Sequence, residues 1–213
     1  MILLLAFAIW LYLAFFHGRF WDSAPELQPA LPLETPQVDI IIPARDEVET
    51  IGPVIASLLA QDYAGPFRVI LVDDNSTDGT AAAAGADPRL SILTGAPKPA
   101  GWSGKLWALS QGVAASEAPV ILFADADITH DPRHLASLVA KMNSDRLDMV
   151  SEMVRLNCAS RAEKFLIPAF IYFFQMLYPF ARVNDPRSRV AAAAGGTVLI
   201  LSLIHISEPT RPY

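Results

Sequence analysis

Two aspartates separated by one residue, Asp125 and Asp127, directly follow a short apolar run, Val120 to Ala124. At a strand end this spacing lets both carboxylates reach a hard divalent cation, which prefers oxygen ligands and keeps waters beside substrate phosphates. Such an ion offsets the repulsion between an acidic cleft and a diphosphate, and it stabilises negative charge on a departing phosphate. The pattern predicts a Mg²⁺ or Mn²⁺ site, with a simple capped turn before Pro132 as the alternative.

Two further polar clusters contain residues suited to binding a nucleotide. Asp73 and Asp74 open the run DDNSTDGT, where carboxylates can accept hydrogen bonds from a nucleobase N–H or from ribose hydroxyls. The alternative is a turn built by Asx and hydroxyl side chains, with Gly79 supplying a permissive φ. Lys105 precedes a helix and is placed to meet phosphate at the helix N-terminus, with a solvated lysine as the alternative. The remaining cluster is ARDE, from Ala44 to Glu47.

Short apolar runs predict strands, and apolar residues at helical spacing predict helices between them. The predicted strands are Val38 to Pro43, Phe67 to Val72, Leu90 to Leu93 and Val120 to Ala124. The predicted helices start near Ile51, after Gly79, at Gly104 and at an Asp131–Pro132 pair in the N-cap and N1 positions. This alternation indicates an α/β fold with a mostly parallel sheet flanked by helices. Because ligands bind outside the carboxyl ends of such strands, we expect the three polar clusters to line one cleft.

Composition and missing motifs exclude several functions. Sixteen Lys and Arg against 22 Asp and Glu give a formal charge of −6 and a pI near 5.1, which disfavours a nucleic-acid partner. The single cysteine, Cys158, has no disulfide or zinc partner and favours a reducing compartment. No GxGxxG or GxxxxGK[ST] loop follows the first strand, which disfavours dinucleotide oxidoreductases and P-loop NTPases. His130 and His134 are four residues apart, but the predicted helix start at Pro132 disfavours a zinc pair, which leaves His130 as a neighbour of the metal site.

Apolar residues concentrate in two stretches that suggest a membrane. Residues 1–21 begin with a run without charge, MILLLAFAIWLYLAFF, and predict an N-terminal membrane anchor, either spanning or re-entrant. Arg19 follows the run and favours a cytoplasmic catalytic domain at the bacterial inner membrane. Four prolines in residues 22–37 predict an extended tether. The stretch from Phe165 to Ala181 is interrupted by prolines and predicts an interfacial helix near an acceptor entrance, with a buried core helix as the alternative.

The segments IIPARDE, LVDDNSTDGT, GWSGKLWAL and FADADITH together resemble family 2 glycosyltransferases with the GT-A fold, a Rossmann-like nucleotide-diphospho-sugar transferase fold. The resemblance implies an inverting transfer of a sugar from a nucleotide-sugar donor, UDP-linked, to an acceptor hydroxyl. It implies that Asp125 and Asp127 bind the metal and that Lys105 and Asp125 contribute to the donor site. It also implies that six residues hold the nucleoside: Pro43, Ala44, Asp46, Glu47, Asp73 and Asp74.

Further segments, including QDYAGPF and FLIPAFIYFFQMLYPFARVNDP, resemble those of the hopene-associated glycosyltransferases found with bacterial hopanoid biosynthesis. This similarity implies a lipid or membrane-embedded acceptor, with hopanoid, polyisoprenyl phosphate and diacylglycerol all open. The competing interpretation is a non-catalytic, membrane-associated protein that binds sugar nucleotides or acts as a scaffold. A nucleotidyltransferase is disfavoured because PARDE provides no basic glycine-rich loop.

The C-terminal end differs in character from the rest of the chain. Leu201 to Arg211 resembles a translated adapter used in DNA sequencing, so residues 201–213 are expected to be foreign and His205 and Glu208 to carry no function. The donor-binding domain is then expected over residues 38–200. The resemblance implies a carboxylate base downstream of the Gly195–Gly196 region, and no such motif occurs before residue 201. We therefore expect the catalytic base to lie beyond residue 200 and this chain to be inactive.

Overall fold

The computed structural model describes residues 1–22 and 26–202. Its helices are α1 (Ile2–Phe16), α2 (Ile51–Leu59), α3 (Thr80–Ala83), α4 (Gly104–Ala114), α5 (His134–Asp145), α6 (Arg161–Leu177) and α7 (Phe180–Val183). Its strands are β1 (Val38–Ala44), β2 (Phe67–Asp73), β3 (Leu90–Thr94), β4 (Val120–Ala124), β5 (Met149–Ser151) and β6 (Thr197–Leu201). The chain forms two compact units. The sheet unit contains Leu27–Val154 and the described residues from Ala194 on, and the helical unit contains Met1–Glu26 and Arg155–Ala193.

The sheet unit is built on six strands in the order β3-β2-β1-β4-β6-β5. The first four strands in this order are parallel, and β6 runs antiparallel to both of its neighbours. Parallel neighbours end at the same edge of a sheet, so β1, β2 and β4 present their carboxyl ends side by side. In the pairing of β1 with β2, Ala44 lies opposite Asp73, where both strands end.

Both faces of the sheet are covered by helices, and the strands are accordingly apolar at nearly every position. On one face, alternate residues of β1 such as Ile40 and Ile42 pack with α2 and α5 in a core that also includes Leu58 and Leu138. On the other face, Ile41 and its neighbours pack with α4. This alternation follows from the two-residue period of a strand. Both helical layers therefore hold β1 from either side.

A glycine allows α4 to approach the sheet closely. Gly112 is buried in the middle of α4, and a Cβ atom there would overlap the side chain of Ile41 and lie 3.2 Å from Val72 Cγ2. Because Ile41 is itself fully buried, it has no free space into which to move. Gly112 therefore sets the distance between α4 and β1, and with it the position of the N-terminus of α4.

A buried ion pair closes the opposite end of β1. Asp39 is fully buried, and its carboxylate accepts hydrogen bonds from Arg68 Nε at 2.8 Å, Arg68 Nη2 at 2.9 Å and Ser116 Oγ at 2.7 Å. Burial raises the pKa of Asp39, but the hydrogen bonds and charge of Arg68 together with Ser116 outweigh burial and lower it. This acidic residue is paired within the structure and lies at the amino-terminal end of the strands.

The helical unit joins the two apolar stretches of the sequence. His17 Nε2 lies 2.8 Å from the carbonyl oxygen of Met176, and Arg182 Nη2 donates to the carbonyl oxygen of Phe16 at 2.8 Å. Phe20 is buried and its ring packs edge-on against Tyr172. The polar contacts satisfy the C-terminal ends of α1 and α6, where backbone carbonyls lack helical partners. The end of α1 is thereby fixed to α6 and α7.

The outer surface of the helical unit is strongly apolar. Within α6 only Gln175 is buried, while Phe165 is 79% exposed and Phe170 is 60% exposed. No residue of α1 is buried. Arg161–Val183, counted as one helix, is long and apolar enough to cross a bilayer, whereas α1 is shorter. The exposure of α6 contradicts the alternative that this stretch is a buried core helix.

The four strands predicted from the sequence are confirmed, as are the helices near Ile51, Gly79 and Gly104. The predicted start of α5 is wrong by two residues, because the His134 amide donates to the Asp131 carbonyl oxygen at 2.9 Å and the Asp62 amide donates to the Pro132 carbonyl oxygen at 2.6 Å. These bonds make residues 131–133 a turn, and α5 begins at His134.

Strands β5 and β6 were not predicted from the sequence. Strand β6 extends to Leu201, the first residue of the tail expected to be foreign. Leu201 lies opposite Val120 of β4. Leu201 and Ser202 are the described residues of the expected foreign segment, and residues 203–213 lie outside the described residues.

The fit of Gly112 against Ile41 is testable by substitution. We expect Gly112→Val to lower the free energy of unfolding by about 3 kcal/mol, because the added Cβ and its two methyl groups have no space between α4 and β1. Urea unfolding followed by circular dichroism measures the change. Ala114→Val is the matched control, because Ala114 is exposed in the same helix and its substitution should change stability by less than about 1 kcal/mol. Equal effects of the two substitutions would contradict the close approach.

Candidate functional site

The three polar clusters meet at the carboxyl ends of β1, β2 and β4, as the sequence predicted. They surround a cavity of about 340 Å³, a volume within the usual range for small-molecule sites. The cavity is lined by Pro43, Ala44, Arg45, Glu47, Asp74, Gly104, Lys105, Ala108, Asp125, Ala126 and Asp127. Because ligands of parallel α/β sheets bind at this edge, the cavity is the candidate functional site.

The loop after β1 is tied to the loop after β2 by direct hydrogen bonds. Four hydrogen bonds join the two segments, each donated by a backbone amide to a side-chain oxygen. They are Asp46 N to Ser76 Oγ at 3.0 Å, Glu47 N to Thr80 Oγ1 at 2.8 Å, Val48 N to Asp78 Oδ2 at 3.0 Å and Thr77 N to Asp46 Oδ1 at 2.8 Å. Asp46 adopts a positive φ of 54°, a conformation that aspartate tolerates better than most residues. The chief role of the polar run DNSTDGT is therefore to hold the ARDE segment in place by hydrogen bonds.

The predicted nucleoside-binding residues divide into two groups. Pro43, Ala44, Glu47 and Asp74 line the cavity, whereas Asp46 and Asp73 are absent from its lining. Asp46 accepts from the Thr77 amide, and Asp73 Oδ1 accepts from the Ser76 amide at 3.2 Å. Their carboxylates thus stabilise the loops, and their contact with a nucleotide stays a prediction.

Asp74 connects β1, β2 and α4 at the wall of the cavity. Its amide donates to the carbonyl oxygen of Ala44 at 2.8 Å, and its Oδ2 lies 3.5 Å from Arg45 Nη1. A Cβ atom on Gly104 would stand 3.2 Å from the same carboxylate oxygen. The absence of a side chain at Gly104 therefore leaves the first turn of α4 open to the cavity beside Asp74.

The two aspartates of the DAD segment differ in their surroundings. The Asp125 amide donates to the carbonyl oxygen of Gly196 at 3.1 Å, and Asp125 Oδ1 lies 2.5 Å from Lys105 Nζ. Asp127 is exposed, and its carboxylate forms no ion pair or hydrogen bond within residues 1–22 and 26–202. The backbone of Asp125 is thus held by Gly196, the residue before β6, and its carboxylate is paired with the Lys105 ammonium group, whereas the Asp127 carboxylate is free to accept a cation.

The residues present fit a divalent cation whose ligands come partly from the protein and partly from a substrate. Asp125 and Asp127 provide hard oxygen donors facing one cavity, and Asp125 binds positive charge in the form of the Lys105 ammonium group. In the described part of the chain no three His, Cys, Asp or Glu residues are grouped closely enough to hold a metal alone. The remaining ligands would come from water and phosphate oxygens, which is usual for Mg²⁺.

A histidine cluster lies three residues beyond the DAD segment, and its arrangement was not predicted. His130 and His134 stack with Nδ1 atoms 2.9 Å apart, and His134 Nε2 lies 2.7 Å from Glu152 Oε2. His130 Nε2 is buried without a hydrogen-bond partner in the described ranges. Burial, and then the charge of His134, lower the pKa of His130 to about 4. The i, i+4 spacing was visible in the sequence, but Glu152 comes from a strand that the sequence analysis missed.

Four lining residues were not among the predicted site residues: Arg45, Gly104, Ala108 and Ala126. Arg45 could have been found from its position directly after a strand, inside a cluster already singled out. Ala108 gave no such signal, because its place follows from the packing of α4 on the sheet.

The sheet order, the helices on both faces and the acidic cavity define an α/β protein with a candidate ligand site at the carboxyl ends of its parallel strands. The family model of Glycosyl transferase family 2 matches residues 39–200, which is most of the chain and contains every residue of the cavity. The chain belongs to glycosyl transferase family 2.

Comparison with known proteins identifies relatives and a shared fold. An N-acetylglucosaminyltransferase of Rhizobium leguminosarum bv. viciae is 32% identical over 159 residues, 71% of this chain and 36% of the relative. A dodecaprenyl-phosphate galacturonate synthase of Rhizobium johnstonii is 26% identical over 128 residues, 56% of this chain and 36% of the relative. This chain thus spans about a third of the length of either relative. The structure of the mannosyltransferase PcManGT from Pyrobaculum calidifontis, in complex with GDP-Man and Mn²⁺, has the same fold, with a TM-score of 0.60 and 22% identity over 91% of this chain and 52% of that chain.

The buried histidine predicts a pH dependence of stability. Because the pKa of His130 is lowered to about 4 in the folded chain, the unfolded chain takes up a proton near pH 6.5 while the folded chain does not. We expect the free energy of unfolding to fall by about 3 kcal/mol as the pH decreases from about 6.5 to about 4, and His130→Gln to remove most of this dependence. Urea unfolding at several pH values measures both slopes. Equal slopes, or an NMR titration in which every histidine is protonated at pH 5, would contradict the prediction.

Proposed function

We propose that this chain is the donor-binding part of an inverting glycosyltransferase that takes a sugar from a nucleoside diphosphate sugar and delivers it to a lipid-type acceptor. The proposal rests on one observation: Asp125 and Asp127, which could bind a metal ion, line the same cavity at the strand ends as a lysine and an arginine. The six charged lining residues sum to a charge of −2, with Arg45 and Lys105 against Glu47, Asp74, Asp125 and Asp127. A diphosphate is also anionic, so a divalent cation is needed for the two to associate.

Each wall of the cavity suits one part of the donor. Asp74 and Glu47 lie after β2 and β1, where their carboxylates can accept hydrogen bonds from the nucleoside. The first turn of α4, opened by Gly104, has amides that favour phosphate, and Lys105 adds a cation there. Asp125 and Asp127 would hold Mg²⁺ or Mn²⁺, which when bound stabilises negative charge on the departing diphosphate. Donor orientation would thus rest on β1, β2, β4 and α4.

The relatives support this assignment of substrate class. The mannosyltransferase with the same fold was determined with GDP-Man and Mn²⁺, a nucleotide sugar and a divalent cation. The named relatives are an N-acetylglucosaminyltransferase and a dodecaprenyl-phosphate galacturonate synthase. A UDP-sugar is the donor that the sequence resemblance favours, and GDP-mannose is the alternative suggested by the structural relative.

A lipid-type acceptor is supported by the helical unit. This unit contains seven Lys or Arg against four Asp or Glu, whereas the rest of the chain contains nine against eighteen. Its exposed surface includes the apolar side chains of α1 and α6. An apolar surface combined with positive charge favours binding to an anionic bilayer. We therefore propose that the chain resides at the bacterial inner membrane, and the sequence similarity to hopene-associated enzymes makes a hopanoid-type lipid the first acceptor to test.

The carboxylate base implied by the family resemblance has no candidate between Gly196 and Ser202, the last described residue. Donor binding does not depend on that base, because the base acts on the acceptor hydroxyl. Binding measurements therefore test the proposed donor site directly, and we expect this chain to bind donor without transferring the sugar.

Donor binding is expected to require the two aspartates. Calorimetric titration with UDP-N-acetylglucosamine, UDP-glucose and GDP-mannose in the presence of Mn²⁺ should detect binding of at least one donor. Asp125→Asn combined with Asp127→Asn should weaken that binding by at least about tenfold, since removal of two charged ligands removes the metal-mediated contact. Asp131→Asn is the matched control, because Asp131 is exposed in the same connection outside the cavity and its substitution should leave affinity unchanged. Binding of equal strength without Mn²⁺ would favour a non-catalytic sugar-nucleotide-binding protein, and no binding would overturn the donor site.

Membrane association is expected to depend on the apolar helices. The chain expressed in bacteria should stay with the membrane fraction after carbonate extraction. Ile9→Glu and Phe170→Glu should each lower the retained fraction, because a central carboxylate makes an apolar helix costlier to insert by roughly 3 kcal/mol. Ile92→Glu is the control, because Ile92 is a half-exposed apolar residue of β3 in the sheet unit. Release of the unsubstituted chain by carbonate would contradict the proposal.

A further inference from the structure

The cavity contains one ion pair at the position where a metal ligand is expected. Lys105 Nζ lies 2.5 Å from Asp125 Oδ1, and the two residues come from α4 and β4. An ammonium group this close occupies the approach to that carboxylate oxygen. A divalent cation at the same oxygen would meet strong repulsion from the lysine. Lys105 and a metal ion therefore compete for Asp125 Oδ1.

The pair is placed so that it can open. The side chain of Lys105 is 50% exposed and that of Asp125 is 29% exposed. Exposed ion pairs contribute little to stability and exchange readily with water. The pair between Arg68 and Asp39 is different, because Asp39 is fully buried there and has two hydrogen bonds from the guanidinium group. The Arg68–Asp39 pair at the amino-terminal ends of the strands is thus more deeply buried than the Lys105–Asp125 pair at the carboxyl ends.

A diphosphate offers Lys105 a new partner. Lys105 is the second residue of α4, and the amides of Gly104 and Lys105 have no helical acceptors and favour a phosphate group, whereas the Leu106 amide donates to Ser103 Oγ at 3.3 Å. A phosphate bound there would lie within reach of the flexible lysine side chain, which could turn from Asp125 without losing its counter-charge. Movement of the lysine to phosphate would leave Asp125 Oδ1 available, beside the unpaired carboxylate of Asp127.

We propose that Lys105 is an internal counter-ion that occupies Asp125 until a diphosphate draws it away, so that metal and nucleotide bind cooperatively. The proposal rests on the proposed function, since it assumes that the cavity takes a nucleoside diphosphate with a divalent cation. Metal alone binds weakly because it has to displace the ammonium group. Nucleotide strengthens metal binding, and by reciprocity metal strengthens nucleotide binding by the same factor.

Binding of Mn²⁺ to the full chain, with and without UDP, tests the proposal. Electron paramagnetic resonance measures free Mn²⁺, and a titration without protein supplies the affinity of Mn²⁺ for UDP itself. The wild-type chain should bind Mn²⁺ about tenfold more tightly when UDP is present. Lys105→Met, which keeps the length of the side chain but removes its charge, should bind Mn²⁺ alone about tenfold more tightly than the wild type, and UDP should strengthen that binding by a smaller factor.

Two further variants serve as controls, one for the loss of a lysine elsewhere and one for the charge at position 105. Lys141→Met removes a lysine from a similarly exposed Lys–Asp pair in α5, between Lys141 and Asp145, and should reproduce both wild-type affinities. Lys105→Arg retains a cation beside Asp125 and should keep metal binding weak in the absence of UDP. Thermal unfolding by circular dichroism verifies that each variant is folded.

The outcomes separate this proposal from the proposed function. If the wild-type chain binds Mn²⁺ with UDP but Lys105→Met leaves the affinity for Mn²⁺ alone unchanged or weaker, the counter-ion role is overturned and the donor site stands. If the wild-type chain binds neither Mn²⁺ nor UDP, both are overturned. Tighter binding of Mn²⁺ alone in Lys105→Met, together with a reduced effect of UDP, supports the counter-ion role.

Discussion

The pairing of β1 with β2 on one side and with β4 on the other is the constraint on which the cavity depends. Parallel pairing ends three strands at one edge, so the polar residues that follow each strand are neighbours although they are distant in sequence. The hydrophobic residues of β1 face α2 and α5 on one side and α4 on the other, which fixes the strand from both faces. Burial in the sheet therefore determines where the charged groups of the cavity meet.

Charge balance determines what the cavity can accept. Its carboxylates outnumber its cations, and each cation already contacts an aspartate: Arg45 contacts Asp74, and Lys105 contacts Asp125. A phosphate ligand alone would meet net repulsion, and a metal ion alone would have to displace an ammonium group. In the proposed donor site the two ligands bound together would give each of these charged groups an opposite charge.

The sequence was sufficient for the parts of this arrangement that depend on local pattern. Apolar runs followed by polar clusters predicted the strand ends, and the rule for parallel sheets predicted that Asp125 and Asp74 line the same cleft. Long-range partners were not predictable in this way. Strand β6 is an apolar run of the same length as β3 and β4, but its antiparallel place between β4 and β5 depends on tertiary contacts that a local pattern does not specify. The turn at Asp131 likewise depends on Asp62, which a local capping rule does not consider.

The insertion of β6 between β4 and β5 has a consequence for biosynthesis. While the ribosome makes the chain, β4 can pair with β1 as soon as it emerges, but its other edge stays open until β6 has been translated. Unpaired strand edges recruit other chains, so nascent copies are prone to associate during this interval. The same delay postpones the contact between Gly196 and Asp125, so the segment that contains Asp125 and Asp127 acquires this backbone hydrogen bond only after Gly196 has been translated.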